Sequence, residues 1–172
     1  GLYGQHQFRR FEGKLAEFEN RLGSGNLPGR APKKVAPRLP PDAKNLFRYA
    51  KDKKREGDCN EAKRAFTAFA TQYKKHKKAD DSLLLAADCM HQMGDHKGSI
   101  MALRTVVTHY SDGDRVDSAM LLIHDNLMAL KRCKEAIVFL EDLLSSKPGK
   151  RIRRKANRRL KQARKYCKVK SS

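Results

Sequence analysis

Apolar residues between Asp42 and Pro148 recur at steps of three and four, the spacing of a helix with one buried face. Leu83, Leu84, Ala87, Met90 and Met93 form one such stripe, and Ile100, Leu103, Val106, Val107 and Tyr110 form the next. Ala119, Leu122, Ile123, Leu127 and Leu130 follow, then Ala136, Phe139, Leu140, Leu143 and Leu144. Met93, Gly94 and Asp95 interrupt the pattern as a helix stop followed by a cap, and Ser111, Asp112, Gly113 and Asp114 interrupt it again. The interruptions repeat: Gly57 and Gly94 are 37 residues apart (94 − 57), with Lys131 at the third such position. The same offset aligns Ala62, Ser99 and Ala136, then Phe66, Leu103 and Leu140, then Phe69, Val106 and Leu143. Tyr73 and Tyr110 also match, and Lys147 with Pro148 closes the third copy. A fixed period of this size predicts stacked helix pairs: small residues let paired helices approach, large ones fill the space between, and no pair buries both faces alone.

The pattern predicts an all-α chain, an α–α superhelix of three helix pairs at 42–78, 79–115 and 116–149, capped by a helix at 150–168. This resembles the tetratricopeptide repeat. That family's small residue at the start of the second helix, large apolar residue four on and late proline map to Ala62 and Phe66, Ser99 and Leu103, and Ala136, Leu140 and Pro148. The first two copies have Lys74 and Ser111 in place of the proline, and the period of 37 exceeds the usual ~34. The run from Gly57 to Leu122 is also similar to the C-terminal repeats of the periplasmic Tol-Pal system protein family, which coordinates cell-wall synthesis with outer-membrane constriction. The likeness spans roughly residues 42–165. It implies a non-enzymatic scaffold in a bacterial cell-envelope assembly, located in the periplasm, with other proteins as partners.

In the tetratricopeptide family the first helix of each pair lines a concave groove. Carried over, the groove positions are Phe47, Lys51 and Lys54, then Leu84, Asp88 and His91, then Leu121, Asp125 and Met128. Such a groove is basic at one end and acidic in the middle, suited to an extended or helical peptide. Leu84 and Leu121 are equally readable as core.

Outside the repeats, residues 1–22 contain an amphipathic helix with Phe8, Phe11, Leu15, Phe18 and Leu22 at heptad spacing. The seam suits self-association into a homo-oligomer, docking to another partner, or packing on the repeats; the Tol-Pal family also has a trimerising N-terminal coiled coil. Residues 23–41 are Pro- and Gly-rich and read as a linker. Asp42 is a candidate N-cap for the first repeat helix. Residues 169–172 are a short tail.

Charge sharpens the picture. The net +20 is uneven: 1–41 carry +5 (8 − 3), 42–149 carry +3 (19 − 16) and 150–172 carry +12 (12 − 0). The last helix has a narrow apolar stripe of Ile152, Ala156, Leu160 and Ala163 among cations. Arg151, Arg153, Arg154, Arg158 and Arg159 form a candidate patch for an anionic partner (lipid head groups, cell-wall polymer, an acidic protein or RNA), with a solvated cap the alternative. A ribonucleoprotein role is the alternative to the scaffold. The helix offers only Tyr166 for base stacking, which argues against nucleic acid.

No apolar run reaches the ~20 residues that span a bilayer. The chain begins at Gly1 with no visible signal peptide, as a processed or trimmed chain does. Cys59 and Cys133 share a repeat position (133 − 59 = 2 × 37), at the start of a second helix. Cys89 and Cys167 lie near the end of the following first helix, so Cys59–Cys89 and Cys133–Cys167 are candidate disulfides, with free buried thiols the alternative. No cysteines have zinc-site spacing, His91 and His96 lack a third ligand nearby, and the 111–114 turn lacks the later acid of a calcium loop. Neither a nucleophile elbow nor a phosphate loop is present, so no enzyme and no cofactor or metal is expected.

Overall fold

The computed structural model describes residues 37–111 and 113–169. The Phe8–Leu22 seam, most of the linker and residues 170–172 lie outside the described residues. Seven helices follow one another: α1 (Ala43–Arg55), α2 (Cys59–Gln72), α3 (Ala79–Gln92), α4 (His96–His109), α5 (Val116–Ala129), α6 (Cys133–Ser145) and α7 (Lys150–Val169). Each packs on the next, so α1 with α2, α3 with α4 and α5 with α6 form three pairs, and α7 closes the stack. Among the described residues there is no strand. The architecture is an α–α superhelix.

The turns inside the pairs show why the period holds. Gly57 and Gly94 have φ of +81° and +79°, and Lys131 stands in the same left-handed region at 59°. In each turn the following N–H reaches back five residues: Asp58 to Lys53 O at 2.9 Å, Asp95 to Met90 O at 2.9 Å, Arg132 to Leu127 O at 2.9 Å. This is one helix-ending motif written three times, and it suits glycine because a Cβ crowds that conformation. Lys131 bears that crowding, so Lys131→Gly is expected to raise stability by about 0.5–1 kcal/mol in urea unfolding. Gly57→Ala and Gly94→Ala are expected to lower it by a similar amount. The next helix starts as the sequence suggests: Asp58 and Asp95 accept hydrogen bonds from the N–H of Glu61 and Gly98, and Asp42 does the same for Asn45. Arg132, at the third such position, makes no side-chain cap.

The aligned apolar positions all face inward. Ala62, Ser99 and Ala136 are fully buried, as are Phe66, Leu103, Leu140, Phe69, Val106 and Leu143. Two core clusters result. One joins α1, α2 and α3 around Phe66 and Phe69, and the other runs from α3 to α7. Helix α3 belongs to both, giving Ala86 and Cys89 to the first and Ala87 to the second. The stack is therefore continuous, as repeat units that cannot bury both faces alone require.

Candidate functional site

Contacts between alternate helices show which side of the stack is inner. Helix α3 touches α5, and α5 touches α7, so from the second pair onward the first helices crowd together. Along that side, charges pair across units at a constant separation of 34 residues: Lys54 with Asp88, Asp81 with Arg115, and Asp125 with Arg159. Since 37 − 34 = 3, a side chain meets the residue one helical turn earlier in the next unit. These pairs lock neighbouring units into register.

The positions carried over as groove residues divide. Lys51 is exposed. Lys54 and Asp88 neutralise each other, so the expected basic end and acidic middle meet in one ion pair. His91 Nδ1 lies 2.9 Å from Asn126 Oδ1, at the junction of units. Two positions pack inward. Phe47 packs its ring against Phe66 and Phe69 at 5.9 and 5.3 Å, because α1 needs an anchor on α2. Leu121 is 5% exposed and belongs to the core, where α5 sits between its two neighbours. Leu84 is half-buried against that same core.

The remaining groove residues meet the cap helix in an open cleft of about 500 Å³. Its walls are His124, Asp125 and Met128 of α5 with Arg158, Arg159, Gln162, Ala163 and Tyr166 of α7. Arg159 donates to both carboxylate oxygens of Asp125, at 2.8 and 2.7 Å. His124 Nδ1 lies 2.9 Å from the same carboxylate. Burial opposes ionisation of Asp125, but the hydrogen bonds from Arg159 and His124 outweigh it and hold the carboxyl at about 2. Arg159, expected in the outward anionic-partner patch, is thus turned into the groove by Asp125. His124 is buried, and its Nε2 has no hydrogen-bond partner. Arg158 is exposed on the cleft wall. Arg151, Arg153 and Arg154 are also exposed, on a helix that contains no acid.

The Asp125 carboxyl sets a pH dependence. Its folded value is depressed from an ordinary 3.8 to about 2, so the unfolded chain takes up its proton first as pH falls. The contribution is complete above pH 3.8 and lost between there and about 2, and it amounts to about 2 kcal/mol. Acid unfolding should show this limb, and Asp125→Asn should remove it.

The cysteines are placed unequally. Cys133 and Cys167 lie at disulfide-bonding distance, Cα to Cα 5.9 Å, and tie the start of α6 to the end of α7. Cys59 and Cys89 are not joined, although they lie in the same small core cluster. No group of three or more His, Cys, Asp or Glu suited to a metal occurs among the described residues.

A tetratricopeptide repeat family model matches residues 81–113, which cover almost all of α3, the whole of α4 and the turn after it. With the helical stack, the match supports a protein of tetratricopeptide-repeat type, a class that generally binds other proteins. No curated protein matches the chain. No helix of the described residues is long and apolar enough to cross a membrane.

Proposed function

We propose that the chain is a non-enzymatic scaffold that holds segments of partner proteins within a bacterial cell-envelope assembly, in the periplasm. The α5–α7 cleft carries this reading. There Asp125 is already taken by Arg159 and His124, which leaves Arg158 beside the apolar surface of Met128, Ala163 and Tyr166. Such a wall receives a carboxylate with an apolar neighbour. The bonding distance of Cys133 and Cys167 fits an oxidising compartment, and the resemblance to the Tol-Pal repeats points the same way. The Phe8–Leu22 seam supplies a route to self-association.

The second reading is an RNA-associated repeat protein, favoured by the exposed Arg151, Arg153 and Arg154. A labelled peptide alternating glutamate and leucine is titrated into the full chain, beside an oligouridylate of equal charge. Under the scaffold reading the peptide binds, Arg158→Glu weakens it about tenfold, and Arg151→Glu weakens it by less than about threefold. Tighter binding of the oligouridylate, falling steeply with salt and weakened alike by both variants, would establish the second reading instead.

A further inference from the structure

We propose that Cys59 and Cys89 form a thiol–disulfide exchange site that closes a second covalent clamp, between the first two helix pairs. The repeat supplies the first argument. Cys59 opens α2 and Cys133 opens α6, at the same repeat position, and Cys89 and Cys167 lie in the later part of the next first helix. In one case the sulfurs of Cys133 and Cys167 are already at bonding distance. In the other the two thiols are free and in hydrogen-bonding contact. Cys59 Sγ lies 3.5 Å from Oε1 of Gln92, one turn beyond Cys89 on α3, and Cys59 packs against the cluster that contains Cys89.

The surroundings assign each thiol a role. Cys59 is half-exposed and reachable by an incoming molecule, whereas Cys89 is fully buried. Burial first, and the hydrogen-bonding contact with Cys59 second, push the Cys89 thiol up to about 12, so it is a poor first nucleophile. Lys54 Nζ lies 3.9 Å from Cys89 Sγ and favours its thiolate. The oxidant is a small disulfide. Cys59 loses its proton and attacks one sulfur, forming a mixed disulfide as the other half leaves as a thiolate and takes up a proton. Cys89 then loses its proton and attacks the Cys59 sulfur, expelling the second half, which is protonated in turn. Two protein thiols become one disulfide, and the small disulfide becomes two thiols. The clamp lies beside the Lys54–Asp88 pair, so closure fixes α3 against α2 at that end of the inner face.

The test uses the full chain carrying Cys133→Ser and Cys167→Ser, treated with glutathione disulfide, then alkylated, weighed intact and mapped. The expected result is a loss of two hydrogens, no alkylation and a Cys59–Cys89 crosslinked peptide. Adding Cys89→Ser should trap one glutathionyl group on Cys59; adding Cys59→Ser should leave Cys89 unmodified until the chain is unfolded. Two alkylated thiols, or glutathionyl groups persisting on both cysteines, would overturn the proposal. Circular dichroism checks that the variant is helical. If it is not, mapping of the unmutated chain decides: two pairs, 59 with 89 and 133 with 167, support the site, and scrambled pairs or a free Cys59 reject it.

Discussion

Removing the Cys133–Cys167 bridge is expected to release α7 from the stack and to lower stability by about 3–4 kcal/mol. Sequence separation sets the magnitude. The bridge closes a 34-residue interval, and in the chain-entropy model that restricts the unfolded chain by roughly this amount. The location of the loss follows from how little else holds α7. Among its described side chains only Ala156, Leu160 and Ala163 are buried, with Ile152 partly covered. Two alanines and a leucine provide about 2–3 kcal/mol of burial, set against the ordering of a 20-residue helix full of like charges. The Arg159–Asp125 and Arg164–Glu141 pairs add to the docking, and the second is exposed. Cys133→Ser should therefore raise amide hydrogen exchange through 150–169 while leaving α1 to α4 nearly unchanged, since each unit feels only its neighbours. A uniform rise along the whole stack would show that the bridge acts globally. The α5–α7 cleft should be lost with the cap, so peptide binding and α7 protection should fall together on reduction.

What the residues disclose in advance, and what they hide, follows from how each feature is encoded. Gly57, Gly94 and Lys131 mark the turns because the left-handed conformation is a property of single residues at a fixed spacing. Phe66, Leu103 and Leu140 announce the core for the same reason. The ion pairs are encoded differently. Lys54 and Asp88 both looked like groove residues, one per unit, because repeat equivalence aligns residues 37 apart, whereas contact joins residues 34 apart. The one-turn offset comes from how successive helices sit against each other, which no single unit contains. A signal for the cleft was nonetheless present. Ala50 and Ala87 are fully buried at one repeat position, and the third copy places His124 there. A polar residue where the other copies have alanine marks a departure from pure packing, and the cleft opens beside it. Asn126 carries no such signal, because its repeat position is Asp52 in the first copy and Cys89 in the second.

Replacing Asn126 by alanine is expected to cost about 2–3 kcal/mol and to uncouple the second helix pair from the third. Its side chain is fully buried, and each polar atom is used twice. The carbonyl oxygen lies 2.9 Å from His91 Nδ1 and 3.0 Å from His96 Nδ1. The amide nitrogen donates to Ser99 Oγ at 2.9 Å and to Leu122 O at 2.8 Å. Ser99 in turn donates to Ala87 O at 2.7 Å, so α3, α4 and α5 all meet in one network. At about 1 kcal/mol for each of four bonds, offset by the access of the half-buried histidines to water, the net loss falls in the stated range, with a small cavity adding to it. A double-mutant cycle separates this network from simple packing. His91→Ala alone should cost less than about 1 kcal/mol, and in the Asn126→Ala background almost nothing, because its partner is already gone. Unfolding of Asn126→Ala in urea should also broaden into two steps, as the weakened junction lets α1–α4 and α5–α7 melt separately. Strict additivity of the two substitutions, with a single sharp transition, would mean that Asn126 merely fills space and that apolar contacts such as Leu103 and Ile123 alone join the units.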